Sequence, residues 1–363
     1  MNKKLVPMFV IILLAVVMAL AACAKATEIP VATEAPAAEA TAAPAEEAPV
    51  VPGFPYPGQA LSSKNAAQAA ELGRWDSGPV TELSWSPTGD FIATSALDGD
   101  IRLWSATNGD LIRMMGEEHS PSGSLAYAPD GNAIATGMLD GVIQLWNPTD
   151  GSVKQTLAGH TKMIHALDFS PDGILLASAA SDGSAIQWLP AEGAQQHTLV
   201  VLPTQVTDLS FAPDGSWLVV AAQDGSVYTW SAADGASARL FKTQSPLSAI
   251  DLSPDGKRLA AVNGNGVVDI FELATTKQIL HVEDPATLGQ GGASALAFSP
   301  DGSLLAVGGQ DGKLRLLGAG DGALLLTLSG QAGKVTDLEF SPDGRYLASA
   351  AEDGTVRLWG VRG

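Results

Sequence analysis

One phrase, written seven times, fixes what this chain can fold into. Its last copy reads SPDGRYLASAAEDGTVRLW, from Ser341 to Trp359. The proline of that phrase recurs as Pro87, Pro129, Pro171, Pro213, Pro254, Pro300 and Pro342, at spacings of 42, 42, 42, 41, 46 and 42 residues, and two positions after each stands a glycine. Self-similarity at such a period marks one supersecondary unit stacked on copies of itself.

Eleven residues after each proline comes a second turn, at Asp98, Asp140, Asp182, Asp224, Asn265, Asp311 and Asp353, every one followed by glycine. These dipeptides supply the positive φ that tight hairpins demand. Between the two turns lies a short apolar run such as RYLASAA, after the second an alternating run such as TVRLW, and before the proline a third such as VTDLEF. Each is strand-length and β-patterned. A fourth strand is expected beyond turns such as Asn108-Gly109 and Asp321-Gly322. Four antiparallel strands per unit make one propeller blade, so the expected fold is all-β, a seven-bladed β-propeller. The last unit stops one strand short, while NAAQAAELGRW, residues 65–75, precedes the first unit in the register of a fourth strand. That N-terminal segment is expected to close the ring, because closure leaves only short, protected edges.

Seventeen residues after the proline sits Trp104, Trp146, Trp188, Trp230, Phe271, Leu317 or Trp359. With that residue in place, FSPDG..LAS...DG..RLW resembles the WD repeat, in seven registered copies. The literal Trp-Asp dipeptide is absent, since Ser105, Asn147 and Gly360 follow three of the tryptophans. The resemblance implies blades stabilised by a hydrogen-bonded tetrad of His, Ser or Thr, Asp and Trp. The third repeat matches throughout, with His160, Ser178, Asp182 and Trp188. Thr94, Asp98 and Trp104 lack the histidine, as do Ser349, Asp353 and Trp359, and Thr136, Asp140 and Trp146 have His119 one residue out of register. Val220, Ala261 and Val307 replace the hydroxyl in repeats four to six, so apolar packing should carry those blades. His160, Ser178 and Asp182 are also the residue types of a hydrolytic triad. Their positions recur in repeats without a histidine, so the expected role is structural and no catalytic residue is assigned.

Two segments precede the propeller, giving three expected regions: 1–22, 23–60 and 61–363. Residues 1–22 have a basic start at Lys3 and Lys4, an apolar run and small residues before Cys23, the anatomy of a secretory signal. Its end, LAAC, resembles the lipobox of bacterial lipoproteins, which implies cleavage before Cys23 and lipidation of that residue. The alternative is an uncleaved membrane anchor, since the apolar stretch nearly spans a bilayer. Cys23 is the only cysteine, so no internal disulfide can form. The following stretch collapses to Ala, Pro, Glu, Thr and Val, the composition of a tether. The expected location is a bacterial cell envelope, lipid-anchored to the outer face of a membrane.

A formal charge of −19 belongs largely to the template and the tether. Twelve aspartates sit at the repeated turns, and Glu28, Glu34, Glu39, Glu46 and Glu47 lie in the tether. Without a basic stripe, nucleic acid is not an expected partner. Glu82, Asp168, Asp208, Asp251, Asp337 and Glu339 fall on the inner strands, opposite the apolar positions and near the central channel. They lack the close clustering of a Ca²⁺ site, so a hydrogen-bonded channel wall is expected and no metal or cofactor is assigned.

The function class this text supports is a monomeric, non-catalytic platform for a protein partner, touching the membrane through its lipid alone. The alternative is an envelope enzyme, or a propeller that takes a small ligand or cation at the channel mouth. Partner contacts are expected on the rim that carries the second turns. Leu97 and Leu139 precede the Asp-Gly turn where Ser181, Gln223, Gln310 and Glu352 stand in other repeats, and Trp75 and Met163 are read as lying in neighbouring loops. A second candidate is the long loop of residues 283–294, which accounts for the 46-residue spacing and carries Glu283, Asp284 and Leu288.

Overall fold

A computed structural model describes residues 53–363 apart from 117–120, 244 and 264. The expectations for Cys23, the signal segment, most of the tether and His119 lie outside the described residues.

The repeats form seven antiparallel blades, each with strands a to d running outward from the channel. Blade 1 comprises Val80–Trp85, Phe91–Ala96, Ile101–Ser105 and Leu111–Met115. Blade 2 comprises Ser122–Tyr127, Ile134–Met138, Val142–Trp146 and Val153–Ala158, and blade 3 Ile164–Phe169, Leu176–Ala180, Ser184–Leu189 and Ala194–Val201. Blade 4 is Val206–Phe211, Trp217–Ala222, Ser226–Ser231 and Ser237–Lys242; blade 5 is Leu247–Leu252, Arg258–Asn263, Val268–Glu272 and Lys277–Val282. Blade 6 is Ala293–Phe298, Leu304–Gly309, Lys313–Gly318 and Leu324–Ser329. Blade 7 takes strands a to c from Val335–Phe340, Leu347–Ala351 and Thr355–Arg362, and its strand d from the other end of the chain, Ala69–Asp76.

That last pairing closes the ring. Asp76 lies opposite Thr355, Trp75 opposite Val356 and Ala69 opposite Val361, so the N-terminal strand is zipped along the whole final strand. A short fifth strand, Pro57–Gln59, adds to the far end of Thr355–Arg362. The fold therefore begins earlier than residue 61. Phe54 stacks on Trp75 at 5.9 Å, and a Cβ at Gly73 would strike the Phe54 ring and force it to move.

Strand b is buried along its length in most blades, for example Leu176–Ala180 and Leu347–Ala351, because both of its faces meet neighbouring blades. Strand a alternates: Leu83 and Trp85 are buried between blades, whereas Glu82 and Ser84 are half-buried on the channel side. This is the period-two pattern of a strand with two unlike faces.

The repeated SPDG turn has a use that the text alone does not disclose. In blade 3, Ser170 donates to Asp172 at 2.6 Å and accepts the Leu175 N–H at 2.9 Å, while Asp172 accepts the Ile174 N–H at 3.0 Å. Gly173, at φ 71°, faces Pro129 of the preceding blade, and the same Gly-on-Pro contact recurs at every junction, including Gly89 on Pro342. The motif seats each blade on the one before it.

Candidate functional site

In blade 3 the four tetrad residues come together. Ser178 Oγ accepts the Trp188 indole N–H at 2.8 Å and lies 2.6 Å from His160 Nε2. His160 Nδ1 lies 2.7 Å from Ser184 Oγ and 3.4 Å from Asp182, and Ser184 itself donates to Asp182 at 2.5 Å. The network is consistent with a proton on Nδ1, leaving Nε2 to accept from Ser178. Burial is the largest influence on both ionisable members. It pushes His160 below its ordinary value against the pull of Asp182. It pushes the Asp182 carboxyl up, but the donors from Ser184 and Thr161, with His160, outweigh it and hold the group at about 2. Although Ser178, His160 and Asp182 line up as a nucleophile, base and acid would, Ser178 has 0% exposure. In this arrangement no substrate carbonyl reaches its hydroxyl.

Elsewhere the same niche is filled by other means. In blade 1, Thr94 accepts from Trp104 at 3.0 Å and bonds Ser77 at 3.1 Å, so Ser77 stands in for the histidine. In blade 7, Ser349 Oγ accepts from Trp359 at 2.8 Å, and Gln331 donates to the Ser349 carbonyl at 3.3 Å. Blade 6 has neither hydroxyl nor tryptophan, and there Arg315 forms a two-pronged pair with Asp311, at 2.6 and 2.8 Å. Blade 4 keeps Trp230 but has Val220 at the hydroxyl position, and the buried indole N–H has no hydrogen-bond partner among the described residues.

The channel, about 760 Å³, is walled by the inner strands. Its carboxylates do more than face water, because each reaches across to the next blade. Asp168 accepts the Phe211 N–H, Asp208 the Ile250 N–H and Asp251 the Phe298 N–H, all at 2.7 Å. Asp337 accepts the Leu83 N–H at 2.8 Å and Glu339 the Trp85 N–H at 3.0 Å, so the junction that closes the ring is clamped twice. Glu82 accepts the Leu125 N–H. Burial, reinforced at most sites by the neighbouring carboxylates, pushes Asp168, Asp208, Asp251 and Asp337 up to about 7, and Glu82 and Glu339 well above the usual range. Among the described residues no group of three or more His, Cys, Asp or Glu is arranged to hold a metal ion.

The opposite ends of strands a and b form the rim expected to meet a partner. The b–c turns are tied to the loops entering strand a, as in Leu139 N–H to the Pro121 carbonyl at 3.0 Å and Ser181 N–H to the Met163 carbonyl at 2.8 Å. On that rim Leu97 is 56% and Leu139 36% exposed, while Met163 is half-buried with its side chain against Gly123. Trp75 does not join them. It lies within strand d of blade 7 and is buried between Phe54 and Trp104, because the closing strand runs through it to Asp76 and Phe54 covers its indole. Leu288 is likewise withdrawn from solvent. The loop of residues 283–294 folds a short helix, Pro285–Leu288, with Asp284 accepting the Ala286 N–H at 3.0 Å, and Leu288 plugs the apolar cluster of blades 5 and 6. Glu283 and Asp284 remain exposed, Glu283 lying 3.3 Å from His281.

A closed ring of seven four-stranded blades, with a tryptophan of strand c bonded to a hydroxyl of strand b, defines a repeat propeller of the kind that generally serves as a non-catalytic protein-interaction scaffold. Six stretches, residues 70–105, 111–147, 151–188, 195–231, 285–316 and 322–360, match the family model described as WD domain, G-beta repeat. The chain belongs to the WD-repeat family. No matched stretch covers blade 5, whose Asn265, Ala261 and Phe271 depart from the pattern at three template positions. Over 44 residues, 12% of this chain, the sequence is 41% identical to Protein tipD of Dictyostelium discoideum. That stretch spans 7% of tipD's length, so the likeness is that of one repeat to another.

Proposed function

We propose that this protein is a lipoprotein of a bacterial cell envelope, anchored through Cys23, that presents a monomeric WD-repeat propeller on a tether as a non-catalytic platform for a protein partner. The lipobox resemblance of LAAC and the lone cysteine support the anchor, and the Ala/Pro/Glu composition of residues 24–52 supports the tether. The observation that carries the platform reading is the exposure of Leu97 and Leu139, at turn positions where four other blades place Ser, Gln or Glu. Apolar residues grouped on a rigid rim are the composition of an interaction patch, and binding residues concentrate on loops held by a rigid scaffold. Met163, Glu283 and Asp284 extend the same rim.

Two substitutions test the reading. Leu97→Asp with Leu139→Asp should abolish co-purification of the envelope partner while the propeller stays folded, and Cys23→Ser should abolish lipid labelling. Undiminished co-purification by the double variant moves the site off this rim; unchanged processing of Cys23→Ser removes the anchor.

A further inference from the structure

Ten large hydrophobic residues are exposed among the described residues, and six of them lie on blades 1 and 2. Besides Leu97 and Leu139 these are Leu111, Ile112, Met114 and Val153. Three of the four belong to a single element, strand d of blade 1, where Leu111 is 44%, Ile112 47% and Met114 44% exposed. That strand is the outer edge of its sheet, hydrogen-bonded on one side to strand c and, among the described residues, unpaired on the other.

Edges of this kind are normally blunted with charge or polar residues. The outer strands of blades 2 to 5 follow the rule, with exposed Lys154 in blade 2, Gln195 and Gln196 in blade 3, Lys242 in blade 4, and Lys277 and Gln278 in blade 5, while that of blade 6, Leu324–Ser329, carries no charge and exposes Thr327 and Ser329 beside a single large apolar residue, Leu324. Blade 1 has one charged residue in this strand, Arg113, and it is turned away. Its guanidinium donates to the carbonyls of Thr149 and Asp150 in blade 2, at 2.7 and 3.2 Å, and its stem packs with Met115 near Gly151. By strand alternation Met114 occupies the opposite face, and Ile112 stands exposed at the register shift between Leu111 and Arg113.

The charge around this edge is negative. Asp110, exposed, directly precedes Leu111. At the other end Arg102, the strand-c partner of Met114, is neutralised by Asp98 and Asp100 at 2.8 and 2.7 Å. An open row of backbone donors and acceptors accepts an extended strand, exposed apolar side chains accept apolar ones, and an excess of carboxylates, Asp98, Asp100 and Asp110 against Arg102 and Arg113, accepts Lys or Arg. The chain's own tether is a poor occupant, carrying five Glu against Lys25 in residues 24–52, and a second copy would bring the same carboxylates face to face.

From this geometry we infer that strand d of blade 1 is a docking edge for an extended partner segment in which apolar residues alternate with basic ones, added as a fifth strand to the blade. The inference rests on the platform reading but uses the side of the propeller, not its rim.

The test uses the full chain and a fluorescent nine-residue peptide alternating lysine and valine, with two controls: the same peptide N-methylated at alternate amides, and one with glutamate for lysine. Binding should be saturable, at least tenfold weaker in Ile112→Gln with Met114→Gln, no weaker in Leu97→Asp with Leu139→Asp, and lost with either control peptide. Equal binding by the Gln variant with its circular dichroism intact, or equal binding of the N-methylated peptide, overturns the proposal. So does self-association, or adsorption to phosphatidylcholine vesicles, that the Gln variant abolishes, since the edge then belongs to a second copy or a lipid surface. A Leu97/Leu139 variant that loses the native partner while the edge still binds its peptide separates failure of one reading from failure of the other.

Discussion

Trp104, Trp146, Trp188 and Trp359 each spend the indole N–H on a hydroxyl ten residues earlier, at 2.8 to 3.0 Å, and Trp230 has no such acceptor. A buried donor left unmade is costly, whereas a made bond contributes roughly 1 kcal/mol net. Val220→Thr should therefore stabilise the propeller by about 1 kcal/mol, and Ser178→Ala, which strands both Trp188 and His160, should cost about 1–3 kcal/mol. Denaturant unfolding reads both. A loss with Val220→Thr would mean that the hydroxyl does not reach the indole. The blade 3 tetrad was legible because all four residue types stand in template register. Ser77 and Gln331 were not, since a Ser or Gln before an inner strand reads as ordinary loop surface until the neighbouring hydroxyl is located. Trp75 was misplaced for a related reason: what covers it is Phe54, from a stretch whose Pro and Gly content reads as tether.

Ring closure is decided by one element, the strand Ala69–Asp76. Its register was readable from its distance to the first repeat, and the pairing of Trp75 with Val356 places it there. The three-residue strand Pro57–Gln59 was not readable, being too short and proline-rich to show alternation. A chain beginning at Val80 leaves Thr355–Arg362 as an open edge and uncovers Trp104, so it should unfold at lower temperature and aggregate, as exposed edges do. Removing residues 53–60 alone should cost less, because the eight-residue strand remains. Thermal unfolding and gel filtration check the order; a chain from Val80 that melts and elutes like its parent would mean the seventh blade closes without this strand.

Across the whole molecule, the channel carboxylates couple blade contacts to pH. A carboxyl whose pKa is raised in the folded state holds a proton that the unfolded chain has released, so stability falls as pH climbs from about 4 through the folded value. For Asp168, Asp208, Asp251 and Asp337 that value is about 7. His160 and His165, depressed chiefly by burial, act oppositely and lose stability as pH falls below their ordinary value. Asp182, held at about 2, sets an acid limit, its contribution disappearing as pH falls from about 4 through 2. Six raised carboxylates against two depressed histidines place the highest melting temperature on the acid side of neutrality. Asp208→Asn with Asp251→Asn should flatten the fall between pH 5 and 8.5, since an amide oxygen still accepts the neighbouring N–H but does not ionise. An unaltered slope would mean these groups titrate as they do in the unfolded chain. This behaviour was hidden in the sequence, where the carboxylates showed only as the polar half of an alternating strand; the blade-to-blade bonds depend on how far one inner strand stands from the next.

The proposed contact of a partner with the rim of blades 1 and 2 is tested most directly by photo-crosslinking in intact cells. A photoreactive amino acid at position 97 or 139 should give a discrete adduct with one partner, and the same group in place of Ile174, which is 60% exposed on an SPDG turn, should give none. Adducts from position 174 with silence at 97 and 139 would contradict the account.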